Sequence, residues 1–259
     1  MNPTSEILNA HDRYARLYPR FGPLLGFTRS ILAAYADFIT RHPDPPASFL
    51  PDGVTALSQV ASKGEVSELA SALSALSPPE GTGRTLFGQA TFAELERFLH
   101  PAGGPEAGDD VTLSRLLLLK PFFFRVRDRL VRRPEGSPGC PACGCLPYFA
   151  RIEKEENRRF LVCPLCETQW SHPRFACPFC GVQTREGQFY ASHEWPLHRI
   201  DACGGCGAYI KTAVEKERAE IAVPMWEDLV TADLDRAAEA EGLIKVSGMA
   251  PSGNVRAGG

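Results

Sequence analysis

The sequence has no long apolar run, no strong excess of charge of either sign, and no cysteine outside residues 140–206. Its longest apolar stretch, "LLLLKPFFF", is interrupted by Lys120 and Pro121 and is much shorter than the roughly 18 residues of a membrane-spanning helix. A net charge of −3 and a pI near 6.1 give no global attraction to nucleic acid or anionic lipid. We therefore expect no membrane insertion.

Enzyme signatures are also missing. The chain contains no P-loop, no G-x-G-x-x-G fingerprint and no recognisable Ser/His/Asp set, so we expect a protein that is not an enzyme. The first residues lack the basic and then apolar layout of a secretory signal. Nine cysteines in such a chain indicate a reducing cytoplasm, where cysteine pairs more often hold metal than form disulfides.

Before residue 135 the hydrophobic pattern is helical. Apolar side chains repeat at intervals of three and four at Leu24, Phe27, Ile31, Ala34, Tyr35 and Phe38, and again at Val66, Leu69, Leu73 and Leu76. Thr91 and Glu94 predict a capping box at the start of another helix, and Pro121 should kink or split the segment around it. We predict a helical N-terminal domain over residues 1–135.

After residue 135 the pattern alternates with a period of two, which is typical of half-buried strands. Hairpins are predicted around "EKEENR", around "SHPR", and between "GQFYAS" and "HRIDAC". A closing helix should begin near Glu227. The predicted fold is α+β: the helical domain, two tandem β modules of the rubredoxin or zinc-ribbon type (residues 136–172 and 173–246) and a C-terminal helix. Residues 247–259 are expected to be a disordered tail.

Four C-x-x-C pairs occur, in "CPACG", "CPLCE", "CPFCG" and "CGGCG". A spacing of two allows a tight turn to present both sulfur atoms to one ion, while the N–H groups of the turn bond the thiolates. Glycine at positions 144, 181 and 207 permits the positive φ that such turns need. Eight thiolates make two tetrahedral four-sulfur sites. The predicted metal ligands are Cys140, Cys143, Cys163, Cys166, Cys177, Cys180, Cys203 and Cys206.

The pairing of these four turns has two solutions. Sequential pairing joins the first turn to the second across 19 residues and the third to the fourth across 22 residues, and each spacer contains a predicted hairpin. Crossed pairing joins the second turn to the third across ten residues and leaves the first and fourth to meet. The zinc-ribbon spacing of about 15–20 residues favours sequential pairing.

Some candidate ligands are left over. Cys145 is adjacent to Cys143, so it is poorly placed as an additional ligand and is predicted to be a passive thiol. His172, His193 and His198 lie in the same region, but eight sulfur atoms already complete two sites. We expect these histidines on the surface or around the ligands. Four-thiolate sites suit both zinc and rubredoxin-type iron, so the residues alone leave the metal open.

Three classes of function fit such modules. A nucleic-acid-binding zinc ribbon is one, but residues 140–212 hold eight Lys/Arg against seven Asp/Glu, and two divalent four-thiolate sites make the segment acidic, contrary to what phosphate binding needs. Six basic residues form either a nucleic-acid-binding patch or the solvated face of a helix. They are Lys120, Arg125, Arg127, Arg129, Arg132 and Arg133. A rubredoxin-like electron carrier is the second class. An interaction or maturation protein is the third, with Trp170 and Tyr209 as side chains that either contact the partner or pack in the core.

The ordered motifs "CPACGCLP", "FLVCPLCETQW", "RFACPFCG" and "DACGGCGAYIK" resemble the formate dehydrogenase accessory protein (FdhE) family. The flanking segments "NAHDRYARL" and "VPMWEDLVTADLD" are similar to that family as well. The resemblance spans most of the chain. Cysteine at position 145 departs from the family pattern, in which a small polar residue is expected.

The resemblance implies a helical N-terminal domain and two rubredoxin-like modules that hold two metal ions in four-cysteine sites, with iron favoured and zinc the alternative. The family's cysteine pairs carry over to the eight cysteines given above. It further implies a cytoplasmic role in maturing the catalytic subunit of a respiratory molybdenum or tungsten formate dehydrogenase before export. These implications are expectations for the structure and the comparisons below.

Overall fold

The computed structural model describes residues 11–42, 57–77, 90–99, 109–130, 139–183, 188–215 and 224–248. The chain forms two compact units, Met1–Leu130 and Val131–Gly259. The helices of the first unit are α1 (residues 11–17), α2 (Gly22–Arg41), α3 (Leu57–Val60), α4 (Lys63–Ser74), α5 (Phe92–Leu99) and α6 (Asp109–Val126). The predicted boundary at residue 135 lies outside the described residues.

The core of the helical unit forms where α6 packs against α2, α4 and α5. From the face that the sequence predicts for α2, Phe27, Ile31, Tyr35 and Phe38 are buried. Helix α4 buries Val66, Leu69 and Leu73, and the rings of Phe38 and Phe122 meet edge to face with centroids 5.1 Å apart. The helical character of the described part of this half of the chain is confirmed.

Local signals explain how two of these helices begin. At α5, Thr91 N–H donates to the Glu94 carboxylate at 2.7 Å, and Glu94 N–H donates to the Thr91 hydroxyl at 3.3 Å, so the predicted capping box is confirmed. Ser62 and Glu65 form a second capping box at α4. Helix α6 continues through Pro121, so the proline does not split this segment.

The basic run near the end of α6 is not a single exposed patch. Lys120 is buried, and the Arg125 guanidinium is 2% exposed and donates to the carbonyl oxygens of His42 and Val60 at 3.1 and 2.5 Å and to Glu65. Arg132 and Arg133 lie outside the described residues. Arg125 thus ties α6 to the ends of α2 and α3, and burial removes both Arg125 and Lys120 from any phosphate-binding surface.

In its described residues, the second unit contains the strands and two further helices. The strands are β1 (Phe149–Ile152), β2 (Arg159–Val162), β3 (Gln169–His172), β4 (Gln188–Ser192), β5 (Trp195–Ala202), β6 (Ala208–Val214) and β7 (Ile244–Lys245). The helices are α7 (Pro224–Val230) and α8 (Ala232–Ala240). The predicted closing helix near Glu227 is therefore two consecutive helices.

The six longer strands make one sheet in the order β3-β2-β1-β6-β5-β4. Neighbours within β3-β2-β1 and within β6-β5-β4 are antiparallel, as hairpin connections require. The central pair, β1 and β6, is parallel, with Phe149 opposite Lys211 and Ile152 opposite Val214. The first strand of one module thus joins the last strand of the other, and the two β modules share a sheet.

The sheet is buried on both faces near its centre. One face carries the cluster of Phe149, Val162 and Ala213, and α7 contacts β1 and β6 while α8 contacts β5 and β6. The other face carries Ala150, Leu161 and Ile210, against which Trp170 and Phe179 pack. Among the described residues, no helix combines the length and apolar character that crossing a bilayer requires.

The end of the described chain returns to the start of the sheet. Strand β7 pairs in parallel with β6, with Ala208 opposite Ile244. The carbonyl of Gly248 then accepts a hydrogen bond from Leu146 N–H at 2.8 Å. Residues 247 and 248, at the start of the predicted tail, are therefore within the described structure, and residues 249–259 lie outside it.

Candidate metal centres

Each C-x-x-C pair lies in a turn of the same design. The first cysteine donates its N–H to the carbonyl five residues later, and its own carbonyl accepts the N–H of the residue four positions later. The first bond joins Cys140 to Cys145, Cys163 to Thr168, Cys177 to Val182 and Cys203 to Ala208, at 2.7, 3.0, 2.9 and 2.8 Å respectively. Four copies of one turn therefore deliver the eight sulfur atoms.

The residue after each second cysteine has a positive φ. Gly144, Gly181 and Gly207 have φ values of 79°, 74° and 71°, a region in which a side chain is strained. The second turn places Glu167 there, with φ 59°. The glycines that the sequence singled out are thus required by the backbone of the first, third and fourth turns, whereas the second turn accepts a glutamate.

The structure brings the first turn to the second. Cys140, Cys143, Cys163 and Cys166, the first group, have sulfur atoms that all lie within 4.8 Å of one another. The Sγ atoms of Cys140 and Cys166 are 3.6 Å apart, and those of Cys143 and Cys163 are 3.4 Å apart. Cys143 and Cys163 are joined through the β1-β2 hairpin, as sequential pairing predicts.

The third turn meets the fourth in the same way. Cys177, Cys180, Cys203 and Cys206, the second group, also lie within 4.8 Å of one another. The Sγ atoms of Cys177 and Cys206 are 3.8 Å apart, and those of Cys180 and Cys203 are 3.7 Å apart. Sequential pairing of the four turns is therefore the observed arrangement, and crossed pairing is wrong.

These distances fit a metal ion and not disulfides. Four thiolates at about 2.3 Å from a central ion form a tetrahedron with sulfur–sulfur edges of about 3.8 Å, close to the 3.4–3.8 Å observed. A disulfide would bring two sulfur atoms to about 2.05 Å, and all nine cysteines are free. Backbone N–H groups also point at the sulfur atoms, as from Ala142 to Cys140 and from Phe179 to Cys177, both at 3.4 Å. Each group could hold one metal ion.

Thiol ionisation in the first group is governed by burial. Burial raises the pKa values of the Cys140, Cys143 and Cys163 thiols. Hydrogen bonds from Cys140 and Cys143 lower the pKa of Cys166. Burial thus favours the protonated form of Cys140, Cys143 and Cys163. A divalent ion reverses this preference, so binding releases the remaining protons.

The second group is more open to solvent. Cys180 and Cys206 are partly exposed, whereas every cysteine of the first group is at most 1% exposed. Burial raises the pKa of Cys206 to about 11. Burial acts in the same direction on Cys203, but N–H groups of Cys206 and Gly205 stabilise its thiolate, so its pKa is lowered to about 7. The two sites therefore differ in how readily solvent reaches their ligands.

This difference predicts the order in which metal is lost. A chelator in excess should remove the ion of the second group first, because it can reach Cys180 and Cys206 without opening the sheet. Alkylation with iodoacetamide during partial metal removal, followed by peptide mass spectrometry, reads out the order. Earlier labelling of Cys143 or Cys163 than of Cys180 would show that burial does not control metal release.

Cys145 belongs to neither group. It is fully buried, and its thiol donates to the Gly248 carbonyl at 3.2 Å, so it ties the first turn to the end of the described chain. A serine hydroxyl can make the same hydrogen bond. The thiol that the sequence marked as passive has a structural contact.

Substituting Cys145 and Cys143 separates these roles. We expect Cys145→Ser to keep two ions per chain, whereas Cys143→Ser should retain about one, because a four-sulfur site short of one ligand loses affinity. Elemental analysis of the purified variants against protein concentration is the measurement. Equal metal loss in the two variants would place Cys145 among the ligands.

The three histidines are not members of either sulfur group. His172 Nε2 lies 3.2 Å from the Ala176 carbonyl, and burial together with the charge of Arg159 lowers the pKa of His172 to about 4. His193 is exposed, and His198 forms a buried pair with Glu227. His193 thus lies on the surface as expected, whereas His198 is buried against α7.

The two aromatic candidates for partner contact are both engaged within the unit. Tyr209 is 2% exposed, and its hydroxyl donates to Asp235 Oδ1 at 2.9 Å. Trp170 is half-buried against the Ala150 cluster. Tyr209 is therefore a core residue and is unsuitable as an exposed anchor.

Sequence reasoning missed two side chains beside the sulfur groups. Thr168 lies with its hydroxyl 3.1 Å from the Cys166 sulfur, where it can donate to a thiolate. Arg159 is buried, donates to the Ala176 carbonyl at 3.1 Å, and interacts electrostatically with Cys177. Thr168 is close in sequence to its cysteine, but no local pattern links Arg159 to a turn 18 residues away.

Comparison with known proteins gives consistent results. A family model described as "FdhE, central domain" matches residues 139–174, which contain the first group. "Protein FdhE homolog" of Aquifex aeolicus is 36% identical over 49% of this chain and 47% of its own. The homologue of Haemophilus influenzae strain PittGG is 31% identical over 63% of this chain and 57% of its own. The chain spans about half the length of the curated relatives it matches.

The fold has a match among solved structures. The crystal structure of the FdhE protein from Pseudomonas aeruginosa superposes with a TM-score of 0.65 over 95% of this chain and 93% of that one, at 19% identity. At that identity the likeness concerns the fold alone. Taken with the family match to the first cysteine module and the curated relatives, it shows that this chain is similar to FdhE proteins in its fold, in its first cysteine module and over about half of its sequence.

Proposed function

We propose that this protein is a cytoplasmic accessory factor that binds the catalytic subunit of a molybdenum or tungsten formate dehydrogenase and is needed for that subunit's assembly or activation before export. It acts as a binding protein and has no catalytic reaction of its own. The partner follows from the resemblance to the formate dehydrogenase accessory family. The finding that best supports the proposal is the match of the FdhE central domain to residues 139–174.

We assign one metal ion to each cysteine group, with iron favoured and zinc the alternative. The ion would supply cross-links between the turns and, as iron, the capacity to accept or give one electron. The chain's own residues contribute the rest: eight thiolates hold the ions, and the N–H groups of Ala142 and Phe179 offset thiolate charge. The burial of the first group keeps water from its sulfur atoms.

A deletion strain compared with its parent tests the function. Loss of this protein should abolish formate oxidation while the transcript and polypeptide of the catalytic subunit persist. Tagged protein, expressed from its own promoter, should capture that subunit. Unchanged formate dehydrogenase activity, together with recovery of nucleic acid in place of the subunit, would favour the zinc-ribbon function instead.

Complementation with matched cysteine variants links the function to the metal centres. Cys145→Ser should restore formate oxidation to the deletion strain, and Cys143→Ser should not, although both remove one buried sulfur from the same turn. Full restoration by Cys143→Ser would separate the function from the first metal site.

A further inference from the structure

Strand β4 is one end of the sheet formed by the described strands. Its inner edge pairs with β5 from Gln188 to Ser192, and its outer edge has no partner among the described strands. Phe189 and Tyr190 are 45% and 40% exposed, and consecutive strand residues point to opposite faces. An extended chain added at this edge would find one aromatic ring on each face.

A pocket lies beside this edge, next to the second group of cysteines. It is a shallow surface pocket, whose empty volume is about 410 Å³ when the open solvent at its mouth is included. Its lining includes Phe175, Phe179 and Phe189 as well as Arg159, Arg174 and Asp201. Phe175 is 53% exposed, so two of the exposed aromatic side chains of the protein border this pocket.

Arg159 gives the pocket an unused hydrogen-bond donor. Its side chain is 3% exposed, and its Nε–H has no hydrogen-bond partner among the described residues. One terminal nitrogen donates to the Ala176 carbonyl, and the other lies 3.5 Å from Asp201. A buried donor left without an acceptor destabilises the folded state, and arginine can only donate. The Nε atom has almost no accessible surface, so an acceptor oxygen from outside the described residues reaches it only when the pocket wall shifts slightly.

The surrounding charges favour an anionic acceptor. Among the described lining residues Asp201 is the one carboxylate, and its oxygens already accept from Arg199 Nε at 2.6 Å and from the Thr212 hydroxyl at 2.9 Å. Arg174 also lines the pocket, and the Arg199 guanidinium stacks 4.1 Å from the centre of the Phe189 ring. Arg159 and Arg199 thus share one carboxylate, and the guanidinium group of Arg174 adds a further positive charge to the lining.

The thiolates of the second group also border the pocket, at Cys177 and Cys203. Their charge is directed towards the ion they would share and towards the N–H groups of their own turns, such as Phe179 N–H. They therefore do not supply the acceptor that Arg159 Nε–H lacks.

We propose that the outer edge of β4 and the Arg159 pocket form one docking surface for an extended segment of a partner polypeptide that carries an aspartate or glutamate. The segment pairs with β4 through its backbone, packs against Phe175 and Phe189, and places its carboxylate at Arg159 Nε. Identification of that partner with the formate dehydrogenase catalytic subunit rests on the function proposed above.

Binding of the purified catalytic subunit to metal-loaded full chains tests the surface. Phe189→Ser and Arg159→Lys should each weaken binding about tenfold, as for central interface residues. Lysine keeps the charge near Asp201 but loses Nε–H. Ile244→Ser, which changes a residue 56% exposed on β7, is the matched control and should bind within about twofold of the wild type. Variants are compared only when they hold two ions per chain and melt at the wild-type temperature.

Wild-type affinity in both pocket variants would overturn the docking surface while leaving the proposed function intact. If the wild type itself does not bind the subunit, the proposed function fails. The binding of acetate then tests the carboxylate site in the pocket independently of that function. In ¹⁵N NMR spectra of zinc-loaded full chain, the Nε–H signal assigned by its loss in Arg159→Lys should shift saturably with sodium acetate and not with sodium chloride. A signal that responds equally to both salts would remove the carboxylate site.

Discussion

Removal of both metal ions is expected to unfold the second unit and leave the helical unit folded. A structural four-sulfur site is worth roughly 10–16 kcal/mol near pH 7, whereas whole domains are stable by only about 5–15 kcal/mol. Strands β1, β2 and β3 have four residues each, and the turns between several strands are the cysteine turns themselves. The helical unit contains no cysteine, so its core does not depend on metal.

The tryptophans make this result easy to read. All three, Trp170, Trp195 and Trp226, lie in the second unit, and the last two are 4% and 0% exposed. Metal removal should shift their emission to longer wavelength while much of the helical circular dichroism remains, and zinc should restore the emission. A metal-free chain with unshifted emission and a cooperative melt of the second unit would contradict this prediction.

Replacement of Lys211 should be the most damaging single change outside the cysteines. Its side chain is 1% exposed, and Nζ donates to the Asp228 carbonyl at 2.7 Å and to Asp235 Oδ2 at 2.5 Å. Lys211 thereby holds both α7 and α8 on the central strand β6. Breaking a buried pair by removing one partner costs about 3–5 kcal/mol, so Lys211→Met should lower the melting temperature of this unit by on the order of 10–20 °C.

Lys245 provides the control, because it contacts the same carboxylate from a more exposed position. Its Nζ lies 3.1 Å from Asp235 Oδ1, with its side chain 32% exposed. Lys245→Met should cost no more than about 1 kcal/mol. Thermal melts followed by tryptophan emission, with metal content measured in parallel, compare the two variants. Similar melting temperatures for both would mean that Lys211 does not anchor the helices.

The features that could be predicted from sequence are those encoded locally. The capping box at Thr91 and Glu94 involves residues three positions apart, and each cysteine turn is specified within six residues. The pairing of turns followed from spacer length, because a hairpin fits between Cys143 and Cys163. These sequence signals depend only on residues that lie close together along the chain.

Contacts between distant segments could not be predicted in this way. The parallel pairing of β1 with β6 places Phe149 opposite Lys211, although most of both modules lies between them in the sequence. Neither strand has a local sequence feature that identifies the other as its neighbour. The same holds for Tyr209, whose burial depends on α8 covering β6 through Asp235. Arg159 reaches Ala176 and Asp201 only after the sheet has formed, so its role near the second group was invisible in the linear pattern.

Metal content and ligand type are the most direct test of the two centres. Elemental analysis of full-length protein purified without oxygen should give two ions per chain. X-ray absorption should then show four sulfur neighbours at about 2.3 Å, and an optical spectrum should separate coloured ferric sites from silent zinc. Fewer than two ions in the untreated chain, or nitrogen or oxygen atoms completing either site, would contradict the assignment of all eight cysteines as ligands.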